Sequence, residues 1–388
     1  MYVPLREWPL HLRLGWTVGS AIRYILWLWD ASQMTLRLQR AQGFDVLHHL
    51  TYGTLLGGSF LWRALRCEAS GERVRVEVGA GHRRPALALG PLGGGQTAPP
   101  QSAAIFGDRW RDEALRSFVV RRLWPLVWHA LLAARRAGVV MATNRETALL
   151  ARHMGAQRVE RVLDVGIPAT FIPARMPARR GHAGITVLWV GRIMPRKGLP
   201  LAVRALEALP AAIESLREGS AAMELQGGRS SGVDVRLEIV GGGVNEKAEA
   251  DLRAWLCGRP AAARVTLSGQ VPFSEVGAAY ERADIFIFPS LRDSTGNQLL
   301  EAMAYGLPVV CLDHQGAREL VTPETGMCVP VGSMDETVEG LARAIAELAV
   351  DADRRRAMGK AGRARARAFV WEAKGAEALA VFESILSP

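Results

Sequence analysis

The chain has little of several things, and each shortage excludes a class of protein. Cysteine is scarce, with four in 388 residues (Cys67, Cys257, Cys311 and Cys328) and no CxxC pair among them. That spacing argues against a zinc ribbon, an iron–sulfur site or a disulfide-stapled scaffold, and reads as buried, reduced thiols. Tyrosine is rarer than tryptophan, 5 against 11. No apolar run is long enough to span a bilayer. The stretch Ala21–Trp29 is short and is interrupted by Arg23, and no signal-peptide pattern opens the chain. Acidic residues fall short of basic ones, 38 against 48, for a net charge of +10 and a pI near 10.1. Such an excess points to an anionic partner: nucleic acid, an acidic bilayer or a phosphorylated substrate. Lysine is scarce beside arginine, however, and Arg-richness with abundant Ala and Gly is equally the mark of a GC-rich genome. No helix-turn-helix, RNA-binding or zinc pattern is present, so nucleic acid is not expected as a partner.

What is present fits a soluble α/β protein with two cores: 388 residues, 49% hydrophobic, 22% charged, 40 Gly and 20 Pro. Tryptophan is concentrated at Trp8, Trp16, Trp27, Trp29, Trp62, Trp110, Trp124 and Trp128, interleaved with Arg6, Arg13, Arg23, Arg121 and Arg122. Trp and Arg on amphipathic segments suit an anionic membrane surface, and they equally suit a core with basic rims.

Strand-like and helix-like segments alternate along the chain. The first half predicts strands over Phe44–His48, from Ala86, and over Val139–Thr143, with a long helical zone over Arg109–Ala137 broken at Pro125. Asn144 reads as the cap of a helix over Arg145–Met154. The Pro- and Arg-rich stretch after Val165 reads as a linker, with a domain boundary near residue 176. The second half predicts strands at Thr186–Val190, Val235–Val240, Val265–Leu267, Ile285–Phe288 and Val309–Leu312. Helices are expected over Leu199–Leu209, Glu246–Leu256 and Pro272–Arg282, with a surface excursion over 215–233 and a helical C-terminus. This alternation means βαβ units and parallel sheets.

Ligands of such sheets sit at the carboxyl ends of the strands. Here every strand end of the second half is polar or Gly-rich: GRIMPRKG, GGG, SGQV, SLRDSTGN and DHQG. Gly191, Gly241, Gly242 and Gly269 would let a ligand approach the backbone closely. Arg192 and Lys197 supply fixed positive charge for a diphosphate, or form a solvated basic turn. Asp293 lies in a loop, as a sugar contact or a helix cap. Glu301 lies eight residues on, in an apolar helix start where an unpaired carboxylate would be costly, so it is suited to accept ribose hydroxyls. The backbone N–H groups of Gly296, Asn297, Gln298 and Leu299 are candidate phosphate donors. In the first half, Gly93 and Gly94 in a Gly/Pro loop and the pair His48–His49 are further binding candidates, with His82 a third histidine of the same kind.

The run GRIMPRKG, VGGG, SGQV and DSTGNQLLEAMAYGLPVV resembles the donor domain of family 4 retaining glycosyltransferases, whose Glu-x7-Glu signature reads here Asp293-x7-Glu301. The resemblance covers about 170–330. Through FDVLHHLTYGT, GPLGGGQTAP and VVMATNRETALL it extends to a bacterial branch acting on surface polysaccharides. It implies the GT-B fold: two Rossmann-like α/β domains facing across a cleft, here 1–175 on the acceptor side and 176–365 on the donor side. A C-terminal helix, 366–388, would pack back toward the first domain. It implies a cytoplasmic enzyme, peripheral at the inner face of the membrane, that moves a hexose-type sugar from an NDP-sugar to a glycan or polyprenyl-diphosphate-linked acceptor. Transfer would proceed with retention and without metal or cofactor, with Asp293, Glu301, Arg192 and Lys197 as the catalytic set.

Three positions depart from the family pattern. The first acid is Asp rather than Glu, Gly90-Pro91 stands where a His is usual, and the opening strand–loop–helix unit of the first domain is lacking. The last departure keeps open a non-catalytic sugar-nucleotide-binding protein; an NDP-sugar epimerase or hydrolase on the same fold is the other alternative.

Overall fold

The computed structural model describes residues 16–50, 58–66, 84–177, 184–220, 233–243 and 245–387. Trp8, Arg6, Arg13, Cys67, His82 and most of the expected 215–233 excursion lie outside them. The first half runs α1 (Trp16–Gln42), β1 (Val46–His49), β2 (Ala86–Leu92), α2 (Ala103–Phe106), α3 (Trp110–Phe118), α4 (Trp128–Arg136), β3 (Val139–Ala142), α5 (Arg145–His153) and β4 (Val159–Arg161). The second runs β5 (Gly184–Val190), α6 (Leu199–Ser220), β6 (Asp234–Val240), α7 (Glu246–Leu256), β7 (Val265–Gly269), α8 (Phe273–Arg282), β8 (Ile285–Phe288) and α9 (Asn297–Ala304). It closes with β9 (Val309–Leu312), α10 (Gln315–Leu320), β10 (Gly326–Val329), α11 (Met334–Val350), α12 (Ala352–Arg367) and α13 (Trp371–Leu386). Among the described residues no helix is long and apolar enough to cross a membrane.

Among the described residues all strand pairs are parallel, in two sheets: β1-β2-β3-β4, and β10-β9-β8-β5-β6-β7. The central strands β8 and β9 are buried on both faces, as continuous apolar runs such as IFIF and VVCL require. Cys311 and Cys328 are register partners on β9 and β10, their sulfurs 3.6 Å apart as free thiols. Cys257 differs from the expected buried thiol: it is exposed at the end of α7.

The chain divides into two compact units, and the division is not the linear one the sequence suggests. One unit holds residues up to Gln96, Arg116–Asp164 and Ala376 onward; the other holds Thr97–Leu115 and Val165–Gly375. The stretch after Val165 belongs to the second unit, in place of a linker ending near 176, because Ile167 bridges Val370. The Ile167 N–H donates to the Phe369 carbonyl (3.1 Å), and the Trp371 N–H donates to the Ile167 carbonyl (3.2 Å). Residues 97–115 join the second unit because Ala98 and Phe106 are buried in its core beside β5, α6 and α11. The helical zone over 109–137 is accordingly interrupted before Pro125 as well, by a π turn at Val119–Leu123. The far end of α13 belongs to the first unit, where Val381, Phe382 and Ile385 cover Ala88, Val139 and Met141.

Helix α6 also runs past its expected end near Leu209, straight through Pro210. A proline there leaves the carbonyl four residues back without its helical donor. That carbonyl, of Leu206, accepts instead from the Arg264 guanidinium at 2.9 Å.

His49 is 8% exposed on β1. Burial, with His48 beside it, lowers its pKa from 6.5 to about 4, so the folded chain keeps the ring neutral where the unfolded chain would protonate it. Stability is then greatest above pH 6.5 and falls as pH drops toward 4, by up to about 3 kcal/mol. Melting temperatures between pH 7 and 4.5 should fall in the native chain and fall less in His49→Gln.

Candidate functional site

In the second sheet β5 lies between β6 and β8, so the strand order runs outward in opposite directions from the β5–β8 pair. At such a point open α/β sheets take their ligands, over the carboxyl ends of the strands. Glycines let the backbones meet there. The Gly191 N–H donates to the Val240 carbonyl at 3.0 Å and the Gly241 N–H to the Gly269 carbonyl at 2.8 Å; the Ile193 N–H reaches Gly242 at 2.9 Å. A Cβ on Gly241 would fall 1.8 Å from the Gly191 oxygen, and its φ of +139° is open mainly to glycine. The turn after β5 is laid just as closely on the end of β8. The Leu291 N–H donates to the Arg196 carbonyl at 2.8 Å, and a Cβ on Gly198 (φ +66°) would fall 1.9 Å from the Pro289 oxygen.

That apposition brings charge together. The Lys197 ammonium, 8% exposed, contacts Asp293 Oδ2 and lies 5.4 Å from the centre of the Phe288 ring. Arg196 Nη1 is 3.6 Å from the same oxygen and donates to the Arg292 carbonyl at 3.1 Å. Ser290 Oγ lies 3.3 Å from it. Asp293 therefore sits in a positive collar. The sequence assigned Lys197 to a diphosphate and Asp293 to a sugar; the structure places them on each other. Arg192 is exposed and forms no ion pair among the described residues.

Glu301 lies on α9, the helix that follows the Asp293 loop. Gly296 caps that helix at φ +104°, where a Cβ would strike the Phe288 ring at 2.6 Å. Asn297 is exposed and Gln298 partly so. The Leu299 N–H is not free for a ligand, since it donates to the Gly296 carbonyl at 3.1 Å. Glu301 is 8% exposed, and Tyr280 Oη on α8 donates to its Oε2 at 2.8 Å. Burial pushes the Glu301 carboxyl up while the tyrosine hydrogen bond opposes the rise; burial and Glu301 together push the Tyr280 phenol well above its ordinary value. With Tyr280 on Oε2, Oε1 is the oxygen left to accept from a ligand. Tyr280 was legible only as an apolar helix position, although a buried phenol always raises the question of its partner.

Gln315 lies in the polar DHQG strand end but was not singled out within it. Its side chain accepts from the Asp293 N–H and donates to the Thr97 carbonyl, both at 2.8 Å. Arg292 is paired with buried Glu113 at 2.9 Å, an ion pair rather than an aligned hydrogen bond.

The first-half candidates lie in the other unit. His48 Nε2 is 2.5 Å from the Gly90 carbonyl, and its ring lies edge-on to Phe382. His49 is buried, as described above. In the Gly/Pro loop Gly93 is buried, the Gly94 N–H donates to Gln96 Oε1 at 2.7 Å, and the Gly95 N–H donates to Thr147 Oγ1 at 3.1 Å. The loop is thus held by its own side chains and by the start of α5.

Residues 178–365 match the family described as glycosyl transferases group 1. A GDP-mannose-dependent alpha-(1-6)-phosphatidylinositol monomannoside mannosyltransferase of Mycobacterium tuberculosis is 33% identical over 204 residues, 50% of this chain and 46% of that protein. The chain thus spans about half the length of such relatives. A sucrose-phosphate synthase from Thermosynechococcus elongatus, 20% identical, aligns over 99% of this chain and 82% of its own with a TM-score of 0.63. The Anabaena HepE protein, solved with UDP and glucose, is 16% identical, with coverage of 92% and 81% and a TM-score of 0.53. At these identities the structural likeness speaks for the fold.

Gly198→Ala tests whether the turn that carries Lys197 needs its close approach to β8. Overlap with Pro289 and a left-handed backbone should together cost at least about 2 kcal/mol, read as a lower denaturant midpoint; an unchanged midpoint would mean the turn can lift off the strand freely.

Proposed function

We propose that this chain, whose residues 178–365 match the glycosyl transferases group 1 family, transfers a hexose-type sugar from an NDP-sugar to a glycan or lipid-linked acceptor, with retention and without a metal. The observation that carries the proposal is the Lys197–Asp293 pair at the reversal point of the second sheet, with buried Glu301 on α9, the helix that follows the Asp293 loop. Glu301 Oε1 accepts from the ribose hydroxyls. Arg192 and Lys197 hold the diphosphate, helped by the backbone N–H groups of Gly296, Asn297 and Gln298. An ammonium has three donors, so Lys197 can keep Asp293 and still reach a phosphate oxygen. Gly191, Gly241, Gly242 and Gly269 let the nucleotide lie against the backbone.

Asp293 faces the donor sugar, where it accepts from a hydroxyl and offsets positive charge growing at the anomeric carbon. Being paired with Lys197, it is a poor nucleophile, which favours a single-site transfer. The bond from the anomeric carbon to the β-phosphate oxygen breaks, and the bond to the acceptor oxygen forms on the same face. The acceptor's proton passes to the departing phosphate oxygen, and the positive clamp stabilises the diphosphate as charge collects there.

A lipid-linked acceptor, such as a polyprenyl diphosphate, fits an enzyme of cell-surface polysaccharide synthesis working at the inner face of the membrane. The mycobacterial relative is named for a phosphatidylinositol mannoside. In the first unit Trp29 (44% exposed) and Trp128 (58% exposed) flank buried Phe60, with the Arg63 guanidinium 4.1 Å from the Trp29 ring centre. Indoles beside cations suit an anionic headgroup layer.

Glu301→Gln, which keeps an acceptor for Tyr280, and Arg192→Ala should each weaken NDP-sugar binding at least tenfold by calorimetry in EDTA, with circular dichroism unchanged. Full-strength binding in both variants would sink the donor site, and native binding that vanishes in EDTA would sink its independence of metal. Separately, the native chain should co-sediment with vesicles of anionic phospholipid and not with neutral ones, and Trp128→Ala should lessen that; no difference between the two lipids would refute the membrane contact.

A further inference from the structure

Gln315 holds a conformation that its residue type disfavours. At φ +51° it is, among the described residues, the only non-glycine with positive φ, and it is 3% exposed. A side chain with a Cβ pays for a left-handed backbone, and such positions persist where surrounding contacts impose them. Glycine would relieve the backbone but lose the side chain. Both ends of its amide are engaged: Oε1 takes the Asp293 N–H and Nε2 gives to the Thr97 carbonyl, each at 2.8 Å. The next residue presses on the same loop, since a Cβ on Gly316 would fall 1.8 Å from the Ser294 oxygen.

Thr97 opens the segment 97–115, which is anchored in the same unit by Ala98 and Phe106. From its far end Glu113 pairs with Arg292, the neighbour of Asp293. The Asp293 loop is therefore gripped twice from one segment, by the Glu113–Arg292 ion pair and by the Gln315 amide. We propose that Gln315 is a positioning residue for Asp293: its amide ties the Asp293 backbone to Thr97 and so fixes where the carboxylate stands beside Lys197. This rests on the reading of Asp293 as the residue facing the donor sugar. The amide is a two-sided bridge, one acceptor and one donor on a single rigid plane. Alanine or glycine cannot span it.

Gln315→Ala and Gln315→Gly are compared with the native full chain, the glycine variant being the one that suits the left-handed backbone if the alanine variant fails to fold. The probes are UDP-glucose, UDP-N-acetylglucosamine and GDP-mannose, each beside its free nucleoside diphosphate. A residue that positions Asp293 acts on the sugar and not on the nucleotide. The NDP-sugar that the native chain binds should lose at least tenfold in affinity, while the matching NDP changes less than threefold. Asp293→Asn added to the Gln315 variant should then cost less than it does alone. Equal losses for NDP and NDP-sugar, the mark of a structural role, would overturn the proposal, as would no loss in either. A second reading needs no ligand: amide exchange of the 290–297 segment should quicken at least fivefold in both variants, and unchanged exchange would refute the bridge. If the native chain binds none of the three nucleotide sugars, the donor reading fails, and the exchange result alone decides the bridge.

Discussion

The second unit depends on one constraint, the close seating of the turn after β5 against the end of β8. Parallel strands must be linked by crossovers, and a sheet whose order reverses at β5 sends those crossovers to opposite sides. The turns that leave β5, β6 and β8 crowd together above the strand ends. The β5 turn can seat on the end of β8 only if Gly198 has no side chain, and on the end of β6 only if Gly241 has none; at each a Cβ would lie within 2 Å of a neighbouring carbonyl oxygen. Once they meet, Lys197 and Asp293 have no room to avoid each other.

Burying charge in this place is expensive, and the structure spreads the cost. Lys197 and Glu301 are each 8% exposed and Glu113 is 5% exposed. None is left alone: Lys197 has Asp293, Glu301 has the Tyr280 hydroxyl, and Glu113 has Arg292. Buried pairs of this kind add little net stability compared with apolar packing, and removing one partner strands the other. The support of the fold comes instead from the apolar strands and α6–α11.

The fold was largely legible because strands buried on both faces announce themselves as short apolar runs. Ile285–Phe288 and Val309–Leu312 are found where the sequence puts them. Gly326–Val329 escaped notice: GMCV is short, and only two of its four positions are fully buried. Helix α6 runs on past its expected end near Leu209, and Pro210 is tolerated within it because Arg264, more than fifty residues away, serves the carbonyl it orphans. The linear domain boundary failed for a similar reason. The destination of 97–115 depends on which core accepts Ala98 and Phe106, and no local pattern records that.

By itself the sequence determined the alternation of strands and helices, the polar and Gly-rich strand ends, and the identity of the two carboxylates eight residues apart. Those are set by local periodicity and by backbone freedom at glycine. The tertiary structure decided the partners: Lys197 for Asp293, Tyr280 for Glu301, and Gln315 between Asp293 and Thr97. A polar side chain in a buried place must pair with whatever the fold brings within about 3 Å. Strand order and crossover direction, rather than distance along the chain, settle what that is.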